Sequence, residues 1–258
     1  HAWGLRESLQ FLHHPSPDVS LGELEDRSHP AWQRLKAEEL LAQQLSQLQA
    51  KRERQLLNAP VLAHSTRTDG VLAQLQAVLP FKLTGAQTRV VNEIARDVAR
   101  AVPMHRLLQG DVGAGKTVVA ALAAMVAIDA GWQCALMAPT EILASQHFGK
   151  LVGWLEPLGI RVAWLTGSQK KKERVAMLAM VASGEAALVV GTHAVIQELV
   201  VFKNLALAII DEQHRFGVAQ RLALRAKMQT QAAPAAASVQ QEPHMLMMSA
   251  TPIPRTLA

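Results

Sequence analysis

Eight residues, Gly110-Asp111-Val112-Gly113-Ala114-Gly115-Lys116-Thr117, constrain this chain more than any others. They fit the pattern G-x-x-x-x-G-K-[ST], with the short run Arg106–Gln109 before them and a long apolar stretch after them. Such a loop needs a strand on one side and a helix on the other, because backbone N–H groups at a helix N-terminus present partial positive charge to phosphate oxygens. Gly113 and Gly115 let the backbone come close, Lys116 reaches the terminal phosphates, and the Thr117 hydroxyl is a ligand for Mg²⁺. A plain glycine turn would not need Lys and Thr in this register.

The loop predicts an α/β fold, and the chain from Phe81 onward agrees. Short apolar runs, Arg106–Gln109, Cys134–Ala138, Arg161–Leu165, Ala187–Val190, Leu205–Ile210 and Met245–Ser249, alternate with helical stretches near 84–100, 116–130, 141–156, 169–183 and 214–228. That alternation predicts a parallel sheet with helices on both faces, and each chemical motif falls at the C-terminal end of a strand, where ligands bind in open α/β sheets. Leu205–Ile210 is apolar enough for a central strand and ends in Asp211-Glu212. There Asp211 would hold Mg²⁺ and Glu212 would orient and deprotonate the attacking water. Loop and carboxylates together predict nucleotide hydrolysis, with Lys116, Asp211 and Glu212 as the catalytic set.

The first 80 residues read differently. Turn residues His13-His14-Pro15-Ser16-Pro17 precede a helix starting near Pro30, in which Trp32, Leu35, Leu41, Leu45 and Leu48 fall near one face. Packing of that face against a neighbouring domain is expected ahead of a coiled coil. Asn58 to Pro80, punctuated by Pro60, Gly70 and Pro80, reads as a connector with one short helix. The expected division is therefore a helical connector, 1–80, and a nucleotide-binding domain, 81–258. Met228–Pro243, rich in Gln and Ala, is expected to be a mobile surface loop.

Composition narrows the partners. Residues 1–80 carry eight Lys/Arg against nine Asp/Glu, and residues 81–258 carry eighteen against twelve, so the basic excess lies with the nucleotide motifs and fits a polyanion. With no Tyr and 4% aromatics, tracking along phosphates suits the chain better than stacking of bases. Lys170-Lys171-Lys172 with Arg174 reads first as a solvated helix start. The single cysteine, Cys134, excludes an internal disulfide and reads as a buried strand position. The apolar run Val118–Ile128 stops at Asp129, short of the ~20 residues of a membrane helix. A cytoplasmic protein without membrane contact is expected. The chain starts at His1 rather than Met and stops just after a motif, as a fragment would.

Asp211-Glu212-Gln213-His214 resembles the D-E-x-H box of superfamily 2 helicases, and Ser249-Ala250-Thr251 resembles their S-A-T motif. Phe81 to Gln87, Ala138 to Ala144 and Val190 to His193 match the same family at the expected places. More narrowly, Asp211–Val218 and Ser249–Ala258 are similar to a bacterial branch that remodels stalled forks and Holliday junctions. The resemblance implies a RecA-like P-loop NTPase domain, parallel sheet flanked by helices, behind the N-terminal helical connector. It implies that ATP sits on Gly110, Asp111, Val112, Gly113, Ala114, Gly115, Lys116 and Thr117, with Gln87 reading the adenine edge and Phe81 nearby. Thr117 and Asp211 would hold the metal; His214, Ser249 and Thr251 would couple nucleotide state to DNA. Pro139, Thr140, Gly167 and Thr192, with Thr166 and His193, would offer backbone and hydroxyl contacts to DNA phosphates.

The implied partners are branched double-stranded DNA, and a wedge domain and second motor domain of the same protein; a monomer is expected. The second motor would bring an arginine finger, so this chain by itself is expected to bind ATP weakly, hydrolyse it poorly and not unwind DNA. Three other readings remain: the motor of a transcription-repair coupling factor, which shares HRFGV-like and TATPIPRTL-like segments, a P-loop small-molecule kinase, and a non-hydrolysing scaffold.

Overall fold

The computed structural model describes residues 3–55, 57–63, 70–111, 113–211, 218–229 and 241–250. They fall into two compact units, one ending at Arg54 and one starting at Gln55.

The first unit is helical: α1 (Leu5–His13), α2 (Leu21–Glu25) and α3 (Pro30–Gln55). Proline suits the first turn of a helix, where its missing N–H would have no partner, and α3 opens on Pro30 as its sequence predicts. Phe11 stacks on His29 at 4.5 Å and meets Trp3 edge-on at 4.9 Å, which ties α1 to the start of α3. The leucine row of α3 lies in the open, with Leu41, Leu45 and Leu48 each more than half exposed.

In the second unit, α4 (Val71–Val78) and α5 (Gly85–Val98) precede a sheet of six parallel strands. These are β1 (His105–Gln109), β2 (Gln133–Met137), β3 (Arg161–Leu165), β4 (Ala186–Gly191), β5 (Leu205–Asp211) and β6 (His244–Ser249), in the order β1-β6-β5-β2-β4-β3. Helices α6 (Lys116–Asp129), α7 (Glu141–Leu155), α8 (Lys171–Ser183) and α9 (Val218–Gln229) alternate with them. Strands covered on both faces must be apolar on both sides. Accordingly Leu207 and Ile209 of β5 enter one core with α6, and Ala208 and Ile210 enter the other with Leu224 of α9. Helix α6 is buried from Val118 through Ala127, apolar on every face, as a helix enclosed on all sides must be.

The stretch read as a connector adds to the core: Leu62, Leu75 and Leu79 are buried in the cluster that holds α6. Leu62 N–H donates to Val98 O at 2.9 Å, and the buried His244 ring accepts from Met104 N–H at 3.0 Å while donating to Pro60 O at 2.7 Å. Cys134 is buried in β2 as expected, and burial pushes its thiol pKa up. No helix among the described residues is long and apolar enough to cross a membrane. Of the segment 228–243, residues 230–240 lie outside the described residues.

Candidate functional site

Parallel pairing sets which strand ends meet. Gln109 of β1 pairs with Ser249 of β6, and Met248 of β6 pairs with Asp211 of β5. The phosphate-loop motif, the S-A-T segment and the strand-end aspartate therefore stand in one row, closed by a Gly110 N–H to Ser249 O bond of 3.3 Å.

Above that row lies a cleft of about 620 Å³. Phe81, Gln87, Gly113, Gly115, Lys116, Thr117, Asp211 and Ala250 all line it, so residues far apart in sequence meet at one place. The loop backbone turns through positive φ at Gly113 (87°) and Gly115 (78°), which glycine adopts without steric cost. At Gly115 a Cβ would also overlap the Gln87 amide. Lys116 Nζ donates to Gly110 O at 2.6 Å and to Asp111 O at 2.9 Å, which holds the ammonium against its own loop.

Gln87 does two local jobs. Thr84 Oγ1 accepts from Gln87 N–H at 3.2 Å, and Gln87 Oε1 accepts from Thr84 N–H at 2.9 Å, a capping box that starts α5. Gln87 Nε2 then donates to Ala114 O at 3.3 Å, so the residue assigned to the adenine edge is bonded to the phosphate loop. Phe81 meets Trp154 edge-on at 6.2 Å, and the two rings form an aromatic wall of the cleft.

Helix α7 supplies what sequence reasoning missed. Leu143, His147, Lys150 and Trp154 recur at helical spacing and all line the cleft. His147 Nε2 lies 2.7 Å from Asp211 Oδ2, and His147 Nδ1 lies 3.5 Å from Thr117 Oγ1. The periodicity of α7 could have singled out this stripe, since it sets His and Lys on a face otherwise marked by Leu and Trp. Nothing local in the sequence links that face to residues thirty and sixty-four positions away.

Thr117 and Asp211 offer a hydroxyl and a carboxylate, the hard oxygen donors that Mg²⁺ takes. Among the described residues no three His, Cys, Asp or Glu side chains converge to hold a metal by themselves. That donor set fits a cation shared with nucleotide phosphates and water, which is how Mg²⁺ usually binds in phosphoryl-transfer sites.

The remaining strand ends form a second cluster. Thr140 caps α7, its Oγ1 accepting from Leu143 N–H at 3.3 Å, and Pro139 precedes it. Glu141 reaches across to the loop after β3, accepting from Ser168 N–H at 3.1 Å and from the Ser168 hydroxyl, which holds its carboxyl below the usual range. Arg174 donates to Thr166 O at 2.9 Å and to Gln197 Oε1 at 2.8 Å. Gly167 is exposed, whereas Thr192 is buried, with its hydroxyl facing Ala194 N–H at 3.5 Å. Gly191 is required where it stands, because a Cβ there would collide with Leu165 O of the neighbouring strand. Val112, Glu212, His214 and Thr251 lie outside the described residues.

The chain is similar to known proteins in sequence and in fold. A family model for DEAD/DEAH box helicases matches residues 84–258. The chain is 55% identical over 254 residues to the ATP-dependent DNA helicase RecG of Escherichia coli O157:H7, covering 98% of this chain and 35% of that one. It is 51% identical over 258 residues to the same-named protein of Haemophilus influenzae, covering all of this chain and 36% of that protein. The chain thus spans about a third of the length of these curated relatives. A solved structure of RecG bound to a three-way DNA junction superposes with a TM-score of 0.71 at 40% identity, over 89% of this chain and 29% of that one. The yeast DEAD-box splicing factor Prp28, at 19% identity and a TM-score of 0.53 over 72% of this chain and 44% of that one, shares the fold. With well over half of its residues inside the family match, and with its phosphate loop and strand-end aspartate facing one cleft, the chain belongs to the DEAD/DEAH box helicases.

Proposed function

We propose that the chain is the first motor domain of a RecG-type ATP-dependent DNA helicase, which uses Mg²⁺-ATP hydrolysis to remodel branched double-stranded DNA in repair and recombination. The observation that carries this reading is the meeting of Lys116, Thr117 and Asp211 in one cleft beside Gln87. Residues 81–258 would be the nucleotide-binding domain and 1–80 the helical connector; the intact protein would be a cytoplasmic monomer.

In this reading Lys116 leaves its carbonyl partners for the terminal phosphates, while the loop N–H groups of Gly113 to Lys116 bind the others. Thr117 and Asp211 hold the cation, which when bound neutralises charge on the phosphates. Glu212, next after Asp211, orients the attacking water and takes its proton. Phe81 and Trp154 wall the cleft near Gln87, apolar surface suited to a nucleobase. Thr140 and Gly167 face DNA phosphates through backbone N–H groups, with Pro139, which has no N–H, fixing the turn just before Thr140. Thr192 contributes through its main chain, its hydroxyl being buried, and Ser249, Thr251 and His214 couple this surface to the nucleotide. An arginine from a second motor domain of the same protein completes the site, and a wedge domain recognises the branch.

The test is junction-stimulated ATP hydrolysis by the intact protein. Lys116→Ala and Asp211→Asn are each expected to lower kcat on the order of 10²–10³-fold, the usual effect of removing one charge-stabilising group. Absence of hydrolysis with any DNA would overturn the reading. RNA polymerase displacement without junction conversion would point to a coupling factor, and a phosphorylated acceptor to a kinase.

A further inference from the structure

Between the two residues expected to hold the cation stands His147, a side chain given no role by the motifs. It sits in the second turn of α7 with 11% of its side chain exposed, against 13% for Asp211. Its Nε2 is 2.7 Å from Asp211 Oδ2 and its Nδ1 is 3.5 Å from Thr117 Oγ1. A carboxylate only accepts hydrogen bonds, so the ring proton sits on Nε2 and is donated to Asp211. The group facing Nδ1 is the Thr117 hydroxyl. One ring thus reaches both oxygen donors, the carboxylate at hydrogen-bond distance and the hydroxyl across a longer gap.

We infer that His147 is a positioning residue for the divalent cation, fixing the Asp211 carboxylate and standing against Thr117. The inference rests on the cleft being a Mg²⁺-nucleotide site. Partners in the layer behind metal-binding side chains commonly govern affinity in this way, by fixing the orientation of the ligand.

The competing role is a packing one, in which the ring only fastens α7 to the end of β5. The two are separated by measuring metal and nucleotide affinity independently. With the full chain, Mn²⁺ binding in the presence of ADP is followed by electron paramagnetic resonance, and binding of a fluorescent ADP analogue is followed in EDTA. His147→Ala is expected to weaken Mn²⁺ binding roughly 10–100-fold while leaving the EDTA nucleotide affinity within about twofold. His147→Gln, whose amide N–H can still donate to Asp211, is expected to recover most of the loss. His147→Asn, too short for Asp211, is expected to behave like Ala and serves if the alanine variant proves unstable. Unchanged Mn²⁺ affinity in both the Ala and Asn variants, or an equal fall of both affinities, would overturn the inference. If the wild-type chain binds ADP no more tightly with Mn²⁺ than without it, the reading of the site fails first and takes the inference with it.

Discussion

At the scale of single residues, the phosphate loop depends on Gly115 for two separate reasons. Its φ of 78° lies in the left-handed region, and the space where a Cβ would sit holds the Gln87 amide. Gly115→Ala is therefore expected to cost about 1–2 kcal/mol from backbone strain alone, read from urea unfolding. A further loss should come from pushing Gln87 off Ala114 O. Adding Gln87→Ala should relieve that second part only, so the double variant should be less destabilised than the sum of the two singles. Additivity would show that the amide yields freely. Both halves of the loop motif were legible because phosphate binding demands the same residue types in the same order wherever it occurs. The Gln87 bond to Ala114 O was not legible: it joins residues 27 apart whose contact depends on how α5 packs against the start of α6.

At the scale of elements, strands were read well and their neighbours poorly. Leu205–Ile210 announced β5 because a strand buried on both faces has to be an unbroken apolar run, and Asp211 closes it by one residue more. Helix α8 starts at Lys171, two residues later than its periodicity suggested, because Lys170 keeps an extended backbone as its N-cap. Residues 58–80 read as a connector because their prolines and glycine punctuate too few apolar residues to show a period. Their leucines nonetheless find the core through α4 and the Leu62 bond to Val98. Sheet order, too, is absent from a linear pattern, and with it the bridge between α7 and the loop after β3. Glu141 makes that bridge through Ser168. Glu141→Ala is expected to free residues 166–169 and speed tryptic cleavage after Lys170 by about tenfold, the loss of one charge-assisted bond being enough. Glu141→Gln, which keeps an acceptor, should fall between. Equal cleavage rates in all three proteins would show the loop is held by Arg174 instead.

For the whole molecule, His244 links segments that the sequence keeps far apart. Its buried ring accepts from Met104 N–H and donates to Pro60 O, which suits the neutral form; a second ring proton would face another donor. Burial lowers its pKa below the ordinary 6.5, against the smaller opposing pulls of Pro60 O and Asp97. Because the folded pKa is depressed, this contribution to stability is fully present above about pH 6.5 and is lost as the pH falls toward the folded value. The urea midpoint of the wild type is thus expected to drop between about pH 7 and pH 5, and His244→Gln should be less stable at pH 7 but lose less over that interval. An identical slope in both proteins would assign the acid sensitivity to other groups.

The enclosure of α6 also sets a clock. Val118 through Ala127 are buried on every side, so the helix carrying Lys116 and Thr117 cannot unwind without opening the core, and its amides belong with the slowest to exchange. Helix α7 has an exposed side and packs along one face, which allows local opening at lower free energy. The cleft therefore joins a wall that breathes only with the whole fold to a wall that can breathe by itself. Of the two, the α7 side, with His147 and Trp154, is the one expected to yield as a ligand arrives and leaves.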